Sequence, residues 1–185
     1  MTLEPWPVER EDLIADLGIF EAWTVHTRSP RTGDLRRMTR INTSDWINII
    51  ALTPENEVLL VKQYRHGTRS FTLEIPGGLV DPGEAPQEAA VRELREETGF
   101  EGSDIRLIGT VAPNPAFLSN HCSTYLVEAC VQVGEPQPDG GEDLESVLRP
   151  LGDIPELILA GEIDNALVLC AFWWLAQDSP GRFRP

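Results

Sequence analysis

The chain is short of cysteine, of basic residues and of long apolar runs, and each shortage excludes something. Its 185 residues include three cysteines. Cys122, Cys130 and Cys170 are odd in number, widely spaced and without a C-x-x-C pair. That argues against a disulfide framework or a zinc site and fits a reducing cytoplasm. Fifteen Lys and Arg face 30 Asp and Glu, a net charge of -15. Such a chain repels nucleic acid and anionic membrane at long range, so neither is expected as a partner. A phosphate-bearing substrate would need metal ions or a few well-placed arginines to mediate the contact. The longest apolar run, Ala166 to Ala176, has about half the length that a bilayer requires. No basic stretch followed by an apolar one opens the chain, so no signal peptide is expected. His26, His66 and His121 lack metal-ligand spacing. What remains is ordinary for a globular protein: 41% hydrophobic and 24% charged residues, enough for one compact domain or a domain with a small appendage.

Along the chain, Leu13, Ile14 and Leu17 before Gly18 have helical spacing and predict one short helix at most. Residues 19–28 and 35–42 read as strands around the turn signal Ser29-Pro30-Arg31-Thr32-Gly33. Residues 46–53 and 58–64 form a second hairpin pattern, and 71–75 a short strand ended by Pro76-Gly77-Gly78. A helix is expected from Pro86 to a stop at Gly99. Residues 105–111, 123–133 and 147–151 are strand-like, 134–143 a loop, and 154–160 and 165–177 helices. Strands and helices mix without regular alternation, which favours a mixed sheet sandwiched by helices over a doubly wound parallel sheet.

The chemistry concentrates in residues 78–100, GLVDPGEAPQEAAVRELREETGF. On a helix over 86–98, Glu93, Glu96 and Glu97 share one face beside an apolar face of Ala90, Val91 and Leu94. Glu93 and Glu97 are four apart, a like-charge spacing that costs about 0.2–0.5 kcal/mol. Two readings stand at this point. The glutamates form a solvated acidic face, partly paired by Arg92 at four-residue spacings from Glu88 and Glu96. Or they hold a hard divalent cation, which prefers oxygen ligands and leaves positions for water and phosphate. The preceding Gly77-Gly78 and Asp81-Pro82-Gly83, which put backbone groups beside the carboxylates, favour the second.

Gly78, five residues, Glu84, seven residues, Arg92-Glu93-Leu94, one residue, Glu96-Glu97, one residue and Gly99-Phe100 fill every specified position of the Nudix box. The chain thus resembles the Nudix hydrolases, which cleave a nucleoside diphosphate linked to another moiety. The resemblance implies a Nudix-type α/β/α sandwich with a mixed sheet over 45–185 and a small N-terminal β-rich extension over 1–44. It implies that Glu93, Glu96 and Glu97 bind Mg²⁺ or Mn²⁺, with the Gly78 carbonyl as a further ligand. Arg92 would orient the glutamates, and Glu84 would support the loop or reach the metal through water. A bound cation neutralises the diphosphate and activates water.

Features outside the box point to the ADP-ribose and nucleotide-sugar branch. Its N-terminal β-rich piece mediates dimerisation, so a homodimer is expected. Gln63-Tyr64-Arg65 and Leu73-Glu74-Ile75-Pro76-Gly77-Gly78 resemble that branch. Arg65 would contact the diphosphate, or else form a surface salt bridge; Glu74 would contact ligand or order the loop. Pro115 and Asn120, in PNPAFLSN, resemble substrate-side residues of nucleotide-sugar hydrolases, and GEIDNA before the last helix resembles the branch's C-terminal end. The branch takes its general base from an acidic loop after the box, where Glu142 is the first choice and Glu145 the second. Trp46 and Trp23 offer stacking faces for a nucleobase, although strand tryptophans more often pack inward. The expected reaction is metal-dependent hydrolysis of ADP-ribose or a related nucleoside diphosphate sugar. The alternatives are another nucleoside diphosphate derivative, such as a dinucleoside polyphosphate or a nucleotide cofactor, or a ligand sensor without turnover.

Overall fold

The computed structural model describes residues 2–137 and 143–183. The chain divides into two compact units, Met1–Ser44 with Ala112–His121, and Asp45–Val111 with Cys122–Pro185.

The first unit is a three-stranded antiparallel sheet of β1 (Val8–Asp16), β2 (Glu21–Arg28) and β3 (Leu35–Asn42), with β2 in the middle. The short helix expected around Leu13 and Leu17 is not formed; β1 occupies that segment. The spacing misleads because Gly18 closes a hairpin instead of ending a helix. Its φ of 81° is left-handed, a conformation that serves a tight turn as well as a helix stop. Its N–H donates to Asp16 Oδ1 at 3.0 Å, and pairing with β2 then outweighs the local pattern. The loop 112–121 joins this unit through a bridge between Ile41 and Leu118, a long-range contact that local sequence patterns do not announce.

The second unit is a sandwich. Its first sheet has the order β7 (Gly77–Leu79), β4 (Trp46–Ala51), β10 (Cys122–Glu128), β9 (Asp104–Val111). It is mixed, because β4 and β10 run parallel and the other pairs antiparallel. A second, antiparallel sheet has the order β12 (Leu144–Pro150), β5 (Glu57–Arg65), β6 (Ser70–Glu74). β8 (Phe100–Glu101) pairs with β11 (Val131–Gln132). The helices are α1 (Pro86–Thr98), α2 (Ile154–Leu159) and α3 (Ala166–Asp178). Alternation along β4 feeds two cores. Ile47, Ile49 and Ala51 pack with Ala89, Ala90 and Leu94 of α1. Ile50 and Leu52 pack with Ile154 of α2 and Val168, Phe172 and Leu175 of α3. The expected α/β/α arrangement with a mixed sheet is therefore what the chain forms.

Candidate active site

Two local devices position α1. Pro86 opens it at a position where a missing N–H costs nothing. Gly99 ends it at φ 74°, its N–H donating to the Arg95 carbonyl at 2.8 Å. Leu94, Ala89 and Ala90 face the core, which turns Glu93 and Glu97 toward β7. That strand is pinned to β4, with Gly77 opposite Asn48 and Gly78 opposite Ile47.

The glycines explain the close approach. A Cβ on Gly78 would overlap the Glu93 carboxylate, and one on Gly77 would overlap the Ile47 carbonyl. Glu97 is 2% exposed and accepts from the Gly77 N–H at 3.0 Å. Ser146 of β12 donates to the Glu97 carbonyl at 3.2 Å, fixing the end of the helix. Glu97 is thus a buried carboxylate lodged against the glycine strand, while the Glu96 side chain remains exposed.

Arg92 organises the rest. Its Nε and Nη2 donate to Glu84 Oε1 and Oε2 at 2.9 and 3.0 Å. Its Nη1 donates to Glu93 Oε1 at 2.9 Å and Glu96 Oε2 at 3.1 Å, and Nη2 also reaches the Leu79 carbonyl at 3.1 Å. Glu84 further accepts from the Asp81 N–H at 3.1 Å. Hydrogen bonding from Arg92, ahead of the opposing effect of burial, holds the Glu84 carboxyl below the usual carboxylate range. The same contacts push the Arg92 guanidinium up. Glu88 does not join this network in the manner its spacing from Arg92 allows; its carboxylate accepts from the Ala85 N–H at 3.2 Å.

The donor set suits a hard cation: carboxylate oxygens on one helix face, beside the backbone of a glycine that has no side chain to obstruct it. Among the described residues no three acidic, histidine or cysteine groups already converge as a metal cage. Arg92 holds Glu93 and Glu96 instead.

A second arginine–carboxylate pair lies at the end of β5. Arg65 Nε and Nη2 donate to Glu74 Oε1 and Oε2, both at 2.9 Å. Thr72 Oγ1 donates to Oε1 at 2.6 Å and Asn165 Nδ2 to Oε2 at 2.7 Å. The Glu74 side chain is 4% exposed and the Arg65 side chain 48%. Burial pushes the Glu74 carboxyl up, but its hydrogen bonds outweigh that and leave it below the usual range. Thr72 and Asn165 escape sequence reasoning as site residues. An asparagine just before an apolar helix does mark a cap, but its second bond depends on the tertiary fold.

Among the remaining candidates, Trp46 is half-buried at the start of β4, opposite Cys122 and Leu79. Glu145 is exposed on β12 at the register position of Lys62, and strand alternation turns it away from the face on which Ser146 meets α1. Glu142 lies outside the described residues. Pro115 and Asn120 belong to the first unit. Pro115 is exposed in a turn. Asn120 is buried, with neither its amide nitrogen nor its oxygen hydrogen-bonded. Trp23 is also in that unit, donating to Glu21 Oε2 at 3.0 Å with the Arg40 guanidinium over its ring. Cys122 is buried, and burial above all pushes its thiol up to about 12, a poor state for a nucleophile.

The chain belongs to the Nudix family, whose NUDIX domain model matches residues 45–172. It is similar to the ADP-sugar pyrophosphatase of Mus musculus, 38% identical over 52% of this chain and 47% of that protein. It is similar to the ADP-ribose pyrophosphatase of Mycobacterium tuberculosis, 31% identical over 66% of this chain and 60% of that protein. The chain therefore spans about half to three fifths of these relatives. The ADP compounds hydrolase NudE of Escherichia coli is 28% identical over 70% of this chain and 69% of its own length. A crystal structure of an ADP compounds hydrolase superposes with a TM-score of 0.87, covering 99% of this chain and all of that one at 24% identity; this establishes the fold. Nudix hydrolases generally need a divalent metal. No helix among the described residues is long and apolar enough to cross a membrane.

Proposed function

We propose that this chain hydrolyses the diphosphate linkage of ADP-ribose or a related nucleoside diphosphate sugar, giving a nucleoside monophosphate and a sugar phosphate. The carrying observation is the carboxylate face of α1, pressed against Gly77-Gly78 and organised by Arg92. Glu93, Glu96, Glu97 and the Gly78 carbonyl would hold Mg²⁺ or Mn²⁺, with Glu96 exchanging Arg92 for the cation. When bound, the cation supplies charge neutralisation on the diphosphate and a more acidic water. Arg65 binds a diphosphate oxygen. Water adds to one phosphorus, the P–O bond to the bridging oxygen breaks, and an acidic residue of the 142–145 segment takes the proton, with Glu142 ahead of Glu145. Trp46 is proposed to line the nucleoside side. The names of the mouse, mycobacterial and Escherichia coli relatives support this substrate class.

The first unit is proposed to make a homodimer. Its small sheet and the turn between β1 and β2 expose Leu13, Ile14, Leu17, Ile19, Leu35 and Met38, apolar surface that a second copy of the chain would cover. A cytoplasmic location is proposed from the free thiols Cys122, Cys130 and Cys170.

The test is a panel of nucleoside diphosphate sugars, dinucleoside polyphosphates and nucleotide cofactors with Mg²⁺ or Mn²⁺. Phosphate released after phosphatase coupling is the readout. ADP-ribose or a nucleotide sugar is expected to turn over fastest; preference for a dinucleoside polyphosphate overturns the substrate assignment. Light scattering is expected to give twice the 20.6 kDa chain mass, and a monomer at micromolar concentration removes the dimer.

A further inference from the structure

We propose that Asn165 is a positioning residue that, through Glu74, fixes the guanidinium of Arg65 where it meets the substrate diphosphate. The inference rests on the hydrolase reading above and deepens it. Asn165 divides its amide between two tasks. Its Oδ1 accepts from the Leu167 N–H at 2.9 Å and caps α3. Its Nδ2 donates to Glu74 Oε2 at 2.7 Å, the same oxygen that Arg65 Nη2 meets at 2.9 Å. Capping needs only the acceptor, and serine or aspartate supplies it about as well. The donor is what capping does not explain.

Arg65 needs that help. Half-exposed arginine pairs are held weakly because the long side chain loses rotamer freedom in one geometry. Glu74 removes the freedom only if its own carboxylate is immobile. Thr72 holds Oε1 and Asn165 holds Oε2, so both oxygens are braced. Asn165 is a rigid brace, because α3 is anchored through Val168, Phe172 and Leu175 in the core. Asn48 Nδ2 also donates to the Leu167 carbonyl at 3.1 Å. Asn48 faces Gly77 across the β4–β7 pair, and the Gly77 N–H donates to Glu97. One first turn of helix thus indexes the diphosphate arginine and the metal-side strand to the same scaffold.

The test uses the full chain with Asn165→Ser, which keeps a cap and loses the donor to Glu74, and Asn165→Asp, which keeps the cap and sets a like charge against Glu74. The Arg65 Nε–H NMR cross-peak, assigned by its loss in Arg65→Lys, reads the lock without substrate. It is expected to merge into the averaged arginine envelope in both variants; an unchanged peak overturns the proposal. With ADP-ribose and Mg²⁺, KM is expected to rise about 10-fold and kcat to change less than about 3-fold, with a melting temperature lowered in Asn165→Ser and lowered further in Asn165→Asp, where a like charge meets the buried Glu74 carboxylate. In an Arg65→Ala background the same substitutions are expected to add nothing. A full further rise in KM there means that Asn165 acts by another route and overturns the proposal. If the parent turns over no nucleoside diphosphate, the hydrolase reading and the diphosphate role fall, while the NMR peak still decides the lock.

Discussion

Two arginines in this molecule meet carboxylates in nearly identical bidentate geometry and differ in everything around them. Among the described residues Arg92 gives five hydrogen bonds, to α1, the loop before it and the end of β7: two to Glu84, and one each to Glu93, Glu96 and Leu79. Arg65 meets the buried carboxylate of Glu74, and its own side chain is 48% exposed. In the first pair the arginine is the hub and the carboxylates are spokes; in the second the buried carboxylate is the hub. The guanidinium fork fits carboxylate and phosphate alike. Which of the two it serves depends on what else surrounds it. Arg92 is suited to arranging ligands, Arg65 to meeting substrate.

The largest expected effect breaks the first arrangement at its buried end. Glu97→Gln keeps the shape and the contact with the Gly77 N–H but removes the charge, and is expected to lower kcat by at least about 100-fold with an unchanged circular dichroism spectrum. Near-normal turnover would remove the metal role of Glu97. Arg92→Ala comes next, at about 10–100-fold, because Glu84, Glu93 and Glu96 lose their common partner. Arg92→Lys should restore little, since one ammonium cannot reproduce the fork. Arg65→Ala is expected to raise KM about 10-fold with a smaller change in kcat. A fall in kcat alone would make the two arginines equivalent and end the contrast.

The contrast was unevenly legible in the sequence. The α1 half is local: Pro86, the glutamate spacing, Arg92 and Gly99 all lie within one helix and its caps, where a 3.6-residue period maps position to direction. The Arg65 half is not. Arg65, Glu74 and Asn165 come from β5, β6 and the start of α3, and only the fold unites them. The first unit shows the same limit. Leu13, Ile14 and Leu17 carry a helical period, yet they lie in or beside a strand because Glu21–Arg28 returns to pair with it.

The smallest expected effect separates the two pairs by stability in acid. Both Glu74 and Glu84 have carboxyls held below their ordinary range. For Glu74, burial acts upward and hydrogen bonds from Arg65, Thr72 and Asn165 outweigh it; for Glu84, the Arg92 hydrogen bond leads. A group whose pKa is lower folded than unfolded stabilises the fold above its unfolded value, and that contribution is lost as pH falls through its folded value. At pH 7, Glu74→Gln is expected to cost about 1–3 kcal/mol, because Arg65, Thr72 and Asn165 lose a buried charged acceptor. Glu84→Gln, nearer the surface, should cost less than about 1 kcal/mol. As pH falls below the ordinary glutamate range, about 4.3, and on through their lowered folded values, the parent protonates the same groups, so both gaps should narrow, and the Glu74 gap, being wider, by more. Urea unfolding between pH 7 and 3 measures this. A Glu74 gap that persists undiminished in acid would mean that the buried pair contributes shape and not charge, and the argument for Glu74 as an electrostatic anchor for Arg65 would go with it.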